Sequence, residues 1–310
     1  MTSRVRLTVL FCSAILALVA TGCGGDESGG DGALITADGS STVGPLTTKA
    51  AEDWKADGGG DVTVGISGTG GGFERFCAGE TDISNASRQI DEEEAALCEE
   101  AGIEYVELQV ATDALTNVVA TSNDWATCLT VEKLGAIWGP GSKVTNWNQV
   151  DPSYPDVPLK LYGPGTDSGT FDYFTDAING EEGASRTDFS ASEDDNVIVQ
   201  GVAGSEGGLG YLGFSYFEEN QDTLKALEVD GGSGCVAPSV EAAQDGTYMP
   251  LARPLFMYVK RSSLTDNQSV SDFVGYTLEN AESIATEAQF VPLNAEQIAA
   301  QQQKLEGATS

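Results

Sequence analysis

What most constrains this chain is a pattern that repeats along it. A short run of β-branched and apolar residues stops, small hydroxyl and glycine residues follow, and a helical spacing of apolar residues begins. ALITADG leads into Leu46, Ala50 and Trp54 at four-residue spacing, DVTVGIS into Phe73 and Phe76, and PLKLYG into Phe171, Phe174 and Ile178. Strand, glycine-rich turn and helix in alternation predict an α/β fold. IEYVELQV and LTNVVATS read as two further strands, LTVEKLGAIWG as a helix, RPLFMYVK as a strand and SVSDFVGYTLENAESIATEAQF as one long helix. Trp54, Trp138 and the Phe73/Phe76 pair are expected in the interior.

The 310 residues, 40% of them hydrophobic, suffice for one or two compact cores. The chain holds no histidine. That removes Ser-His-Asp and Cys-His catalysis, the H-E-x-x-H metalloproteases and most catalytic zinc sites; no cofactor or metal is expected, and the chain does not read as an enzyme. A formal charge of −33 with eight lysines argues against a nucleic-acid binder, which needs a basic face. Salt screens that field within about 8–10 Å, so an anion site on such a protein must work through local donors.

At the N-terminus, Arg4 and Arg6 precede an apolar run at residues 7–20, which ends in Ala20-Thr21-Gly22-Cys23. A run of this length falls short of the roughly 20 residues a spanning helix needs, and the small residues before a cysteine form a lipobox. Residues 1–22 are therefore expected to be a lipoprotein signal peptide, and Cys23 the lipidated residue that anchors the exported protein to the outer face of the cell membrane. The Gly/Asp/Ser-rich residues 23–32 suit a flexible tether. With Cys12 in the signal and Cys23 carrying lipid, Cys77, Cys98, Cys128 and Cys235 remain, an even number in an oxidising compartment. Of the three connectivities, 77–98 with 128–235 is favoured, because Cys77 and Cys98 flank one short helical segment.

Three strand-to-helix turns carry donors. They are DGSSTVGP at 38–45, SGTGGG at 67–72 and GTDSGT at 165–170. Each can offer backbone N–H groups, hydroxyls and the positive end of a helix dipole to one anion. A serine or threonine before a helix is more often a plain cap, but in α/β folds ligands bind where such loops lie, at the carboxyl ends of strands. The glycine spacing fits neither the P-loop nor the dinucleotide fingerprint.

The stretches DGSSTVGPL, SGTGGGFERFCAGETDISNASRQI, YGPGTDSGTFDYF and GLGYLGFSYF resemble, in that order and spacing, the phosphate-binding lipoproteins of Pst-type ABC importers. The likeness runs over nearly all of residues 33–300. It implies a type II periplasmic-binding-protein fold: two α/β lobes with mixed sheets flanked by helices, joined by two crossover segments and closing over phosphate. The lobes would be 33–112 with 248–310, and 113–247. By position the resemblance implies Ser41, Thr42, Thr69, Gly70, Ser168, Gly169 and Thr170 as phosphate-binding residues. It also implies a monomer that partners inorganic phosphate and membrane permease subunits. Another tetrahedral oxyanion, such as sulfate or molybdate, and a sensing or adhesion lipoprotein are the alternatives.

The charged positions depart from the family. Its aspartate after Ala-Ser is Arg88 here, and its arginine before the third turn is replaced by Gly163-Pro164. An exchange of roles follows as an expectation: Arg88 donates a fork of hydrogen bonds to phosphate, and Asp167 accepts a phosphate proton. An unpaired buried acceptor facing fully ionised sulfate can cost about 10⁴–10⁵ in selectivity. The run Asp91-Glu92-Glu93-Glu94 reads as a solvated first helical turn. Arg253 fits either a second ligand cation or an interlobe pair.

Overall fold

The computed structural model describes residues 34–309; the expected signal peptide, the lipidation site Cys23 and the tether lie outside the described residues. The first part of the chain alternates as expected: β1 (Ile35–Gly39), α1 (Gly44–Ala56), β2 (Val62–Val64), α2 (Gly68–Cys77), β3 (Ile83–Ala86) and α3 (Glu92–Glu100). β4 (Tyr105–Ala120) then leads to β5 (Cys128–Thr130), α4 (Val131–Trp138), α5 (Trp147–Val150), β6 (Lys160–Gly163), α6 (Gly169–Asn179), β7 (Ser190–Ala191) and α7 (Asp195–Ala203). Next come β8 (Gly208–Gly213), α8 (Phe214–Glu219), β9 (Leu224–Ala226), β10 (Glu228–Asp230), β11 (Cys235–Val236) and α9 (Val240–Gln244). The chain closes with β12 (Ala252–Lys260), α10 (Arg261–Asp266), α11 (Gln268–Glu279), α12 (Ala281–Glu287) and α13 (Ala295–Ala308).

One mixed sheet runs in the order β2-β1-β3-β12-β4-β8-β6-β7, with β9 also paired to β4. β1 is parallel to β2 and β3, and β6 to β7 and β8, while β12 and β4 run antiparallel to each other along nearly the whole length of β12. A three-stranded sheet, β11-β10-β5, stands apart. The interior divides along the central pair. On β4, Val106, Leu108, Val110 and Ala111 pack with Ile35, Leu46, Phe273 and Ile284, whereas Ala114, Leu115 and Val119 pack with Trp138, Phe174 and Leu209. On β12, Leu255, Met257 and Val259 belong to the first core and Ala252 to the second, together with Tyr248 and Leu251. β12 changes cores between Ala252 and Leu255, and a register shift follows at Leu255/Phe256.

Two sequence expectations are corrected. IEYVELQV and LTNVVATS form one strand of 16 residues, because the intervening Ala111-Thr112-Asp113-Ala114 stays extended, with Thr112 bridged to Val291 and paired to Pro254. The long C-terminal helix breaks at Asn280, which is the C-cap of α11 and the N-cap of α12. Its side chain donates to the carbonyl of Tyr276, a local bond that competes with helix continuation. Trp138, Phe73 and Phe76 are fully buried; Trp54 is half-buried, resting on Phe273 and Tyr276.

Both favoured disulfides are present, Cys77–Cys98 joining the end of α2 to α3 and Cys128–Cys235 joining β5 to β11. A crosslink stabilises chiefly by shrinking the unfolded ensemble, and more so for a longer closed loop. The second bridge spans a separation of 107 residues and lies near the surface, so its removal leaves little cavity. Replacing Cys128 and Cys235 together by alanine is expected to lower unfolding free energy by about 3–5 kcal/mol, measured by urea denaturation of the oxidised protein.

Candidate anion-binding site

The first turn is built by Ser40 rather than by its neighbours. The Ser40 hydroxyl is buried and accepts from the N–H groups of Thr42 at 3.2 Å and Val43 at 3.4 Å, while its own N–H donates to Asn85 O at 2.9 Å. Pro45 falls in the first turn of α1, where its missing N–H costs nothing. The helix start has no side-chain cap, and Ser41 and Thr42 face a cavity. At α2, Ser67 likewise makes no cap bond. The Thr69 hydroxyl lies 3.1 Å from that of Ser87 and accepts from the Ser87 N–H at 3.3 Å, tying the helix start to the loop after β3.

Gly72 fixes the approach of these two helix starts. A Cβ there would lie 2.5 Å from the Gly39 Cα and 3.2 Å from the Asp38 carbonyl oxygen, so α2 packs directly on the backbone at the end of β1. Glycine is the residue that permits this contact.

The cavity has a volume of about 780 Å³. Ser41, Thr42, Thr69, Gly70 and Arg88 line it on the side of the first core, and Asp172, Tyr173 and Asp176 of α6 line it on the side of the second, with Arg253 between. Five of the sequence-derived residues are thus brought together. Asp167, Ser168, Gly169 and Thr170 do not line the cavity wall; Asp167 is exposed, and Ser168 caps α6 by accepting from the Thr170 N–H at 3.2 Å. Gly169 nevertheless abuts the site, since a Cβ on it would come within 2.7 Å of the Thr42 hydroxyl oxygen.

The two arginines stand in different company. Arg88 Nη1 and Nη2 donate to the two carboxylate oxygens of Glu94 at 2.8 and 2.7 Å, and Nη1 also to Gln89 O at 3.1 Å. Glu94 in turn accepts from the Asp91 N–H while Asp91 caps the Glu94 N–H, a complete capping box at the start of α3. The acidic run is therefore not uniformly solvated: Glu94 is buried because it serves as cap and ion-pair partner at once. Arg253 donates through Nε to Asp113 at 3.3 Å and through Nη2 to the Thr42 hydroxyl at 3.1 Å. Its guanidinium carbon sits 3.7 Å from the centroid of the Tyr173 ring, and the Tyr173 hydroxyl donates to Pro250 O.

Burial raises the carboxyl of Asp113 above its ordinary range, and Arg253 opposes that shift. Burial likewise raises Asp172, with Glu182 adding to the effect and Arg253 opposing it. Desolvation, then the charge of Asp113, pushes Tyr173 well above the usual phenol value. Ser40, Ser87, Asp172 and Tyr173 escaped the sequence reading. Asp172 and Tyr173 had a usable signal, since they follow the third turn directly at the start of its helix.

Two helix starts from one core and a helix from the other thus enclose hydroxyls, amides and two cations around one space. The model of the PBP superfamily domain matches residues 25–281. The chain belongs to the PBP superfamily. Protein SphX of Synechococcus elongatus is 50% identical over 282 residues, covering 90% of this chain and 83% of that protein. The phosphate-binding protein PstS of Staphylococcus saprophyticus is 41% identical over 297 residues, covering 94% and 91%. Among solved structures, a possible phosphate binding protein from Planctomyces limnophilus matches with a TM-score of 0.85 at 42% identity, covering 90% of this chain and 99% of that one.

The double duty of Glu94 generates a stability prediction. Glu94→Ala removes half of the capping box and leaves Arg88 without its bidentate partner, and it is expected to cost about 1–2 kcal/mol. Urea denaturation checks the value, and loss of α3 protection in amide exchange locates it.

Proposed function

We propose that this superfamily member captures inorganic phosphate outside the cytoplasm and delivers it to the permease subunits of an ABC-type importer. One observation carries the reading: Thr42 and Thr69, at two helix starts without side-chain caps, meet in a single cavity with two arginines and a half-buried carboxylate. Helix N-termini and hydroxyls suit the oxygens of a tetrahedral anion, guanidinium supplies charge, and a carboxylate can accept a hydrogen bond only from an anion that still carries a proton. The names of the PstS and Planctomyces relatives support the same ligand. Micromolar capture corresponds to about −8 kcal/mol, within reach of several charge-assisted bonds.

Ser41, Thr42, Thr69 and Gly70 bind from the first core. Ser168, Gly169 and Thr170 join from the second core as the cleft closes, and Gly169 already abuts Thr42. The two cores act as the lobes, 33–112 with 248–310 and 113–247, the return crossing falling nearer 252–255. Residues 1–22 direct export, and the lipid on Cys23 holds the protein at the membrane.

Asp172 takes the part of proton acceptor that sequence reasoning gave to Asp167, because Asp172 lines the cavity and Asp167 is exposed. Acidic side chains on the α6 wall also weigh against sulfate or molybdate, which carry no proton near neutrality. Calorimetry tests this with phosphate and sulfate. The wild-type chain is expected to bind phosphate at micromolar concentration or tighter and to reject sulfate. Asp172→Asn is expected to lose about tenfold or more in phosphate affinity, the scale of one lost charge-assisted bond, and to admit sulfate, with Asp167→Asn unchanged. The opposite pattern restores Asp167, and a wild-type chain that prefers sulfate removes phosphate as the ligand.

A further inference from the structure

We infer that Arg253, on β12, supplies the fixed positive charge that holds the anion in this cavity; the inference rests on the oxyanion reading above. Arg88 and Arg253 are the two cationic side chains among the residues that line the cavity. They differ in what they have left to give. Arg88 has spent both hydrogens of Nη1 and one of Nη2 on Glu94 and on a backbone carbonyl. Its charge is met by a carboxylate that faces it with both oxygens. That carboxylate is pinned by the capping box of α3, and α3 by the Cys77–Cys98 bridge to α2. Arg88 is also about half exposed, with 47% of its side-chain surface open, so water competes for whatever it offers.

Arg253 is committed more lightly. Its bond to Asp113 is single and long at 3.3 Å. After the bond to Thr42, Nη1 and one hydrogen of Nη2 remain without a partner among the described residues. The guanidinium is held by the face of Tyr173, which fixes its plane while leaving its donating edge open. Stacking on an aromatic ring with a free fork of N–H groups is how arginine is made to present itself to an oxyanion. Only 20% of its side-chain surface is exposed, so its field acts at lower dielectric than that of Arg88.

Position in the fold gives the same answer. Asp113 and Arg253 are cross-strand partners on β4 and β12, at the point where both strands pass from one core to the other. From there Arg253 touches Thr42 before α1 and Tyr173 in α6, so an anion held against it lies within reach of donor turns from both lobes. Among the described residues, the ion pairs and ring contact of Arg88 lie on the α2–α3 side. Gly163 leaves no room for a side chain, because a Cβ on it would lie 2.8 Å from the Tyr211 ring.

Calorimetry with inorganic phosphate on the mature chain tests the assignment through Arg253→Ala, Arg253→Lys and Arg88→Ala. Arg253→Ala is expected to lose about hundredfold or more in affinity, as truncation of a buried, hydrogen-bonded charge does. Arg253→Lys recovers part of the loss, because a point charge replaces a fork. Arg88→Ala stays within about tenfold, the range of a solvent-exposed ion pair. Removing Arg253 alone leaves Asp113 buried and unpaired, so Asp113→Asn/Arg253→Gln serves as a second variant that takes away both charges; it is expected to fold with native circular dichroism and still to lose about hundredfold. Equal losses in Arg88→Ala and Arg253→Ala, a larger loss in Arg88→Ala, or wild-type affinity in the double variant would each overturn the role of Arg253. A wild-type chain that binds no phosphate at all instead defeats the oxyanion reading itself.

Discussion

The antiparallel pairing of β4 with β12 is the constraint on which everything else in this molecule depends. The two strands are hydrogen-bonded from Ala252 opposite Ala114 to Lys260 opposite Tyr105, and each contributes to the two largest hydrophobic cores in succession. A strand shared by two cores cannot be lost from one without exposing the other. It also leaves a short region of β12, at Arg253 and Pro254, that neither core covers completely. The cavity opens there, and the register shift at Leu255/Phe256 lies beside it.

Electrostatics then works against the global charge. A protein with a net charge of −33 repels anions at long range, yet its candidate site gathers helix starts, hydroxyls and two guanidinium groups within one cavity. Because screening confines the surface field to about a Debye length, short-range donors decide the outcome. Each arginine is kept in place by a carboxylate, but the two pairs are built differently. Glu94 grips Arg88 with both oxygens, whereas Asp113 touches Arg253 with one and lets Tyr173 hold the plane. The second arrangement preserves donors for a ligand.

Much of the site was legible before folding was considered. Thr42 and Thr69 were recognisable from the strand-turn-helix pattern, because that local chemistry requires small hydroxyl residues and glycines where a strand gives way to a helix. The disulfide partners of α2 and α3 followed from one short segment between two cysteines. What a turn's residue types do not show is which of its hydroxyls the local backbone consumes. Ser40 lines the cavity beside Ser41 and Thr42 but spends its hydroxyl on closing the first turn. Ser168 uses its hydroxyl to cap α6, and the residues that reach the cavity from that helix come later, at Asp172 and Tyr173. Hydroxyl count alone does not distinguish a residue that satisfies its own backbone from one with a donor to spare.

The sequence by itself determined the alternation of strands and helices, the three donor-bearing turns, the even set of cysteines and the exclusion of histidine chemistry, since each is a property of residue type and local spacing. Only the tertiary structure decided which charges remain available. Arg88 and Glu94 are six residues apart, but whether they pair depends on the direction in which α3 leaves β3. Arg253 meets Asp113 across a separation of 140 residues and Thr42 across 211, distances over which no local pattern carries information. Burial and partnership are properties of the packed chain, and at this site they select the cation.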